Sequence, residues 1–403
     1  MNFIWISIVV LSVTQSVLAE NLSENLTLDQ YLNLVLKQNL DLKIEDAKLQ
    51  VLDAKSVSLG LPPPMVSFNR MKEEDGSASS SFEISQMIPF PTKLTANHSA
   101  RKYAFEAQKQ SKFFSQKQIL LNAKLLYLTL WQNQEKLSLL QEKKTLLQSH
   151  LKLSRSSARS DSFATVHLLK SESDLDMLDT EIESAKQMIL ERQFALATSI
   201  NAETSFKMIA REPKISGVPL LSDLQNSHYF KAKELNLESL NAKVTEAKSS
   251  WLPDFNLKYK QMEKSAANMA YNEIMVGITL PFVFFWEPYS FSKQANQEAL
   301  VGQYELTKEK RNINAEKFIL LSRIESLKKQ LDILNLKLIP RAEKRMKLVH
   351  NIVPRDLETL QDHRETMEAY PELKLKAIDL RLEFEKSVAD LEKYMFLKES
   401  ENE

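Results

Sequence analysis

Phe82-Glu83-Ile84-Ser85-Gln86-Met87-Ile88-Pro89-Phe90-Pro91 and its later counterpart Ile274-Met275-Val276-Gly277-Ile278-Thr279-Leu280-Pro281-Phe282 decide the fold. Both follow a period of two, the mark of a strand with two unlike faces, and both stop at proline. Each is the return arm of a hairpin. In the first, Val66 and Phe68 alternate with Ser67 and Asn69, and Asp75-Gly76 in a polar stretch supplies the loop. In the second, Phe255, Leu257 and Tyr259 alternate with Asn256, Lys258 and Lys260. Ile274, Val276, Ile278 and Leu280 then share one face, with Met275, Gly277 and Thr279 on the other. Both hairpins open on prolines, Pro62-Pro63-Pro64 and Pro253, and the units containing them, Leu61–Leu94 and Leu252–Phe291, begin 191 positions apart. The chain therefore states one plan twice.

Outward from the hairpins the pattern is helical. A capped helix opens at Leu28 behind Thr27, and apolar residues continue at helical spacing from Tyr31 to Leu52 until Gly60 and the three prolines end it. After Pro91 no proline interrupts the pattern as far as about Arg155, which as one helix spans ~95 Å. Its middle carries a heptad seam of Leu126, Leu130, Asn133, Leu137, Leu140, Lys144, Leu147 and Leu151, so it packs along its length on other helices. Ser154–Ser162, with five serines in nine residues, is a turn before a return helix from Phe163 to about Ile200. The second copy runs from Ser290 to about Val349, turns near Asn351–Pro354 and returns to about Phe396, with bends expected at Pro340 and Pro371. The boundaries are residues 1–19 as a signal peptide; 20–211 as the first repeat, with its hairpin at about 63–89 and helical hairpin at about 92–200; and 212–403 as the second, with its hairpin at about 253–281 and helical hairpin at about 290–396. The stretch 201–225 between them reads as an irregular linker.

Composition agrees with long helices. Glycine is scarce, at 5 of 403 residues, and the 53 basic and 53 acidic residues balance, so no net field recruits nucleic acid. Phe3–Val13 is almost wholly apolar, and Val17-Leu18-Ala19 fits a cleavage site before Glu20, as in an exported protein. The alternative is an N-terminal anchor, for which the stretch is short. Without cysteine there are no disulfides and no thiol chemistry.

Strands of about ten residues with one apolar and one polar face suit two settings: a membrane-spanning barrel, or surface hairpins on a helical body. Four strands cannot close a barrel, and open edges cannot sit in lipid, so a membrane setting requires several copies of the chain.

This organisation resembles the TolC-type outer membrane efflux protein family over essentially the whole mature chain. Leu26-Thr27-Leu28-Asp29-Gln30-Tyr31-Leu32 with Gln38-Asn39-Leu40 is similar to the family's first helix. Ile84–Leu94 is similar to the strand-to-helix junction of its heavy-metal efflux branch. Ser249-Ser250-Trp251-Leu252-Pro253 resembles the entry to the third strand, and Leu338-Ile339-Pro340-Arg341-Ala342-Glu343 a segment of the last long hairpin. The resemblance implies a mainly α fold with a small β part. In it, duplicated antiparallel helical hairpins form an α-barrel, and a homotrimer closes a twelve-stranded barrel in outer membrane lipid. It also implies a periplasmic adaptor protein and an inner-membrane pump as partners, no nucleic acid, no cofactor, and a passive exit duct for small molecules or metal ions. Polypeptide export and a soluble periplasmic coiled-coil scaffold are the alternatives. The family's helical tips usually contain glycine; here the tips, 155–162 and 350–356, contain none.

No catalytic constellation is present: there is no Gly-rich phosphate loop, no H-E-x-x-H and no G-x-S-x-G. The six histidines are scattered without ligand spacing, and the 13 methionines show no cluster along the chain. The candidate entrance residues are Arg159, Asp161, Arg355, Asp356 and Asp362 at the two helical turns. In a trimer each aspartate becomes a ring of three carboxylates, held by arginine or selecting cations. Asp161 and Asp356 equally suit helix capping. The candidate lipid-facing residues are Val66, Phe68, Phe82, Ile84, Phe255, Leu257, Ile274, Val276 and Ile278.

Overall fold

The structure is a computed structural model that describes residues 25–58, 60–72, 78–157, 162–202, 208–218, 227–263, 269–350 and 357–394. The expected signal peptide and the Asp75-Gly76 loop lie outside them. The elements run along the chain in the following order. A two-residue strand, β1 (Asn25–Leu26), leads into α1 (Leu28–Gln38) and α2 (Leu40–Val57). The hairpin β2 (Met65–Lys72) and β3 (Ala78–Ile88) comes next, then α3 (Pro91–Ser157) and α4 (Ser162–Ser199). After β4 (Ile209–Ala210) the second copy has α5 (His228–Lys248), the hairpin β5 (Phe255–Met262) and β6 (Tyr271–Ile278), then α6 (Trp286–Ile333), α7 (Ile339–His350) and α8 (Leu357–Glu392).

Local chemistry accounts for the ends. Thr27 and Gln30 form a reciprocal capping box: Gln30 N–H donates to Thr27 Oγ1 at 3.4 Å, and Thr27 N–H donates to Gln30 Oε1 at 3.0 Å. The apolar run from Tyr31 to Leu52, read above as one helix, is two. Asn39 leaves the helical conformation, and its Oδ1 accepts from the N–H groups of Asp41 (2.9 Å) and Leu42 (3.2 Å), starting α2. Gly60 takes a positive φ of 70° after α2, just ahead of the three prolines. Pro340 has no N–H for the carbonyl of Leu336, and the chain answers with one π-helical turn, Leu334–Leu338, between α6 and α7. Pro371 behaves differently: α8 runs through it without a break.

The chain forms two compact units. One holds residues up to Gln38 and Leu126–Pro213. Its core gathers Tyr31, Val35, Tyr127, Leu130, Leu140, Leu147, Leu196, Ile200 and Met208, all buried. Of the seam, Leu130, Asn133, Leu140, Leu147 and Leu151 are buried, and Lys144 forms an ion pair with Asp179 of α4. Tyr31 stacks on Tyr127, 6.0 Å between ring centroids. The Tyr127 hydroxyl donates to Leu26 O at 2.8 Å and accepts from Arg211 N–H at 2.9 Å, which clamps the parallel pair β1–β4. The stretch 201–225, expected to be irregular, thus carries β4.

The other unit holds Asn39–Leu125 and the chain from Lys214 onward. Leu320, Ile324, Leu327 and Leu331 of α6 recur at intervals of four, three and four, and pack against Phe384, Val388 and Leu391 of α8. Glu385 of α8 is fully buried. It accepts from Ser216 N–H at 2.7 Å and faces Lys124 Nζ of α3 at 3.6 Å, so the linker is held by a buried ion pair. This unit also contains the antiparallel sheet, in the order β2-β3-β5-β6. The two hairpins join through β3 and β5, leaving β2 and β6 as edges.

Candidate functional site

Cross-strand register assigns every sheet residue to a face, because directly opposed residues lie on the same side. Val66 opposes Ile84 and Phe68 opposes Phe82; Ile84 opposes Tyr259; Leu257 opposes Val276, Tyr259 opposes Ile274, and Phe255 opposes Ile278. All nine residues proposed from the alternation therefore share one apolar face. The other face carries Ser67, Glu83, Ser85, Asn256, Lys258, Lys260 and Glu273. Lys258 Nζ lies 2.7 Å from Glu83 Oε1, and Lys260 stands opposite both Glu83 and Glu273.

The exposure of these faces is the reverse of what water selects. On the apolar face Phe68 is 69% exposed, Ile274 72% and Val276 70%, while Val66, Phe82, Ile84, Leu257 and Ile278 are also exposed and Phe255 is half-buried. On the polar face Ser79, Ser81 and Met262 are buried, and Glu83, Ser85, Lys258, Lys260 and Glu273 are half-buried. A sheet resting on a helical body hides its apolar side. This one turns it outward, as a contiguous patch across four strands.

Asp254, which the alternation did not single out, binds the two copies together at the base of the sheet. Its carboxylate Oδ1 accepts from Phe90 N–H at 3.0 Å and from Lys93 Nζ at 2.7 Å, while its own N–H donates to Thr279 Oγ1 at 2.7 Å. The Phe90 ring stacks on Phe255 at 6.3 Å. The strand-to-helix junction of the first copy is thereby tied to the strand entry of the second. Beyond β6, the segment Val283–Phe291 exposes Phe284, Phe285, Trp286, Tyr289 and Phe291.

Of the entrance residues, Arg159, Asp161, Arg355 and Asp356 lie outside the described residues. Asp362 lies in α8, past its first turn, and is exposed. Among the described residues no three His, Asp or Glu side chains gather into a metal cluster, and no helix is long and apolar enough to cross a membrane. His228 is held by Gln110, Nδ1 to Oε1 at 2.7 Å, and its ring packs on Phe113. The methionines, scattered along the sequence, do gather in space: Met65, Met71, Met87, Met262 and Met275 all fall on the polar face of the sheet, and none falls on the apolar face. Pairing across a gap of nearly two hundred residues produces that grouping, so a linear reading misses it.

No protein-family model matches the sequence, and no curated protein sequence matches it. Solved structures do. The outer-membrane channel OprN superposes with a TM-score of 0.77 at 12% identity, covering 91% of this chain and 89% of that one. CusC, whose structures describe folding and transmembrane channel formation, gives 0.75 at 13% identity over 91% of each chain. The open state of the MtrE outer membrane channel of Neisseria gonorrhoeae gives 0.76 at 16%, covering 91% and 88%. This is the fold of outer-membrane channels. It is mainly α, built from long antiparallel helical hairpins with a four-stranded antiparallel sheet.

Proposed function

We propose that this chain is one of three identical subunits of an outer-membrane channel that serves as the passive exit duct of a multi-component efflux system. The observation that carries the reading is the inverted sheet. An apolar face exposed across four strands, over a polar face that is more covered, has its lowest free energy with hydrocarbon outside and water inside. The unpaired edges β2 and β6 point the same way. Lipid satisfies no backbone N–H or C=O, so these edges must pair with other copies. Pairing β6 of each copy with β2 of the next closes a ring, and three copies of four strands make twelve. The likeness to channel structures supports the same architecture.

In this reading Val66, Phe68, Phe82, Ile84, Phe255, Leu257, Ile274, Val276 and Ile278 face lipid, and Glu83, Lys258, Lys260 and Glu273 line the lumen. The long helices extend into the periplasm, where an adaptor and an inner-membrane pump engage them and the pump supplies the energy. Residues 20–211 and 212–403 act as two pseudo-equivalent halves of the wall. Arg159, Asp161, Arg355, Asp356 and Asp362 ring the periplasmic entrance. The cargo class is small molecules or ions, and the chain itself performs no bond chemistry.

Membrane fractionation with mass measurement tests the core of this reading. A detergent-extracted species of three chains from the outer membrane is expected; a soluble monomer in the periplasmic fraction overturns it. For the entrance, Asp356→Ala and Asp362→Ala are each expected to change single-channel cation selectivity. Unchanged selectivity would leave Asp356 only a helix cap.

A further inference from the structure

Just past β6 the chain reads Phe282-Val283-Phe284-Phe285-Trp286-Glu287-Pro288-Tyr289-Ser290-Phe291, six aromatics in ten positions. The ten residues after Pro89 at the end of the first hairpin, 90–99, hold one, Phe90, and that ring is half-buried and stacked on Phe255. Water selects against a displayed aromatic run, yet Phe284 is 59% exposed, Trp286 53% and Phe291 50%. Two prolines fix the backbone that displays them. Pro281 opens a single 3₁₀ turn, Pro281–Phe284, and Pro288 is buried in the first turn of α6. The rings of Phe284 and Trp286 stand at 77° to one another with centroids 5.5 Å apart, as two walls of a corner. Together with Phe291 and Pro288 they line a surface cleft of about 570 Å³. Ser250 and Glu287 are the polar residues of its lining, and Glu287 is the one charged group. Among the described residues no cation pairs with Glu287. Electron-rich ring faces beside a carboxylate are the chemistry that holds an ammonium ion.

We propose that this cleft binds the headgroup of a zwitterionic phospholipid of the phosphatidylethanolamine class, its primary ammonium between Phe284 and Trp286 and hydrogen-bonded to the Glu287 carboxylate. The proposal rests on the channel reading, which sets lipid against the apolar face of the sheet. The cleft continues that face. Ile278 ends it within β6, and the exposed side chains of Leu280 and Val283 carry apolar surface on to Phe284. Beyond Phe291 the helix turns polar, with Lys293, Gln294, Asn296, Gln297 and Glu298. The cleft thus lies where apolar surface gives way to polar, the level at which a bilayer carries its headgroups and at which amphipathic rings settle. Charge selects among those headgroups. An anionic one brings no cation to the rings and is repelled by Glu287; a quaternary ammonium suits the rings but has no N–H to donate to the carboxylate. Acyl chains of the bound lipid lie along Leu280 and Val283. The first hairpin is followed by no such run, so each chain carries one cleft of this kind and a trimer carries three.

The test uses the full chain extracted from the membrane in detergent, stripped of lipid and titrated with dioleoyl phosphatidylethanolamine or dioleoyl phosphatidylglycerol, with bound lipids counted by native mass spectrometry. One phosphatidylethanolamine per chain is expected to bind more tightly than phosphatidylglycerol. Glu287→Gln alters only an exposed side chain and should weaken phosphatidylethanolamine binding about tenfold, the worth of a hydrogen bond to a charged group, without weakening phosphatidylglycerol. Trp286→Leu should reduce the same preference by removing a ring face. Tyr289 is exposed on the same turn of helix but does not line the cleft, so Tyr289→Leu should leave the preference unchanged. Equal affinity for the two lipids in the wild type, or a wild-type preference in Glu287→Gln, overturns the site. An equal loss in Tyr289→Leu also overturns it, because the run then meets the membrane through general aromatic contact. A trimer that dissociates in Trp286→Leu while Glu287→Gln keeps the wild-type preference overturns it too and gives the cleft to a neighbouring copy. Failure to recover any trimer from the outer membrane removes the channel reading itself, a result distinct from an intact trimer that ignores the headgroup.

Discussion

The helical seam of α3 and α4 and the four-stranded sheet obey the same hydrophobic rule with opposite results. In the seam, Leu130, Leu140 and Leu147 of α3 are buried, as are Leu178 and Ile182 of α4, while Lys144 and Asp179 pair at its margin. Apolar groups are in and charges are out, as water requires. In the sheet Phe68, Ile274 and Val276 are out, and Glu83 and Lys258 pair on the more covered side. Both regions set apolar side chains beside a lysine–carboxylate pair. On the channel reading proposed above, what differs is the solvent each face meets: water around the seam and hydrocarbon outside the sheet.

Truncating the seam should have the largest effect. Leu140 is 2% exposed, and Leu140→Ala removes a buried side chain at a cost of about 2–5 kcal/mol, read as a lower denaturation midpoint of the extracted protein. The same change at Leu257 on the apolar face of the sheet should cost far less, because that side chain is 47% exposed. Equal losses at the two positions would mean that the sheet's apolar face is packed against protein, and the contrast would fail.

Charge separates the two faces of the sheet. Val276→Arg places a cation in the proposed hydrocarbon and should cost about 2–4 kcal/mol of assembly in the membrane, read as the fraction of chain recovered as outer-membrane trimer. On a water-exposed surface the same substitution lies within about 0.5 kcal/mol of neutral. Lys258→Gln on the polar face is the partner measurement. It should leave recovery unchanged and raise the cation preference of the channel, by freeing Glu83 from its ion pair. Recovery that falls with Lys258→Gln and not with Val276→Arg would invert the assignment of the faces.

Much of this was legible in the linear sequence because period-two and heptad patterns report faces directly. Val66 to Ile278 could be sorted into one face before any pairing was known, and the span of α3 follows from the proline-free run after Pro91. What escaped depends on contacts between distant segments or on single side chains. Asn39 splits one apolar run into two helices through two hydrogen bonds that no periodicity records. β4 is too short to show alternation and exists because Tyr127 and Gln134 hold its backbone. Asp254 and the grouping of methionines need the β3–β5 register, which joins residues from the two halves of the chain. Of the entrance residues only the sequence pattern speaks, apart from Asp362.

The smallest effect expected is electrostatic and belongs to the helices. Lys117 on α3 is half-buried; burial holds its ammonium down to about 8 from 10.5, partly opposed by the nearby Glu392 carboxylate. A base whose charged form the fold disfavours weakens the fold wherever it is protonated. Below about pH 8 both the folded and unfolded chains carry the proton, and the whole penalty is present. Between about pH 8 and 10.5 the unfolded chain keeps a proton that the folded chain has released, so this group makes stability rise with pH across that window. Lys117→Met removes the penalty. It should raise the melting temperature at pH 7 by about 2–4 °C for roughly 1 kcal/mol, with the gain shrinking as pH climbs past 8. Solvent around the partly exposed chain and the attraction of Glu392 keep the effect well below that of a cavity in the seam. A variant that is less stable than wild type at pH 7 would mean that Lys117 contributes more through Glu392 than it loses by burial.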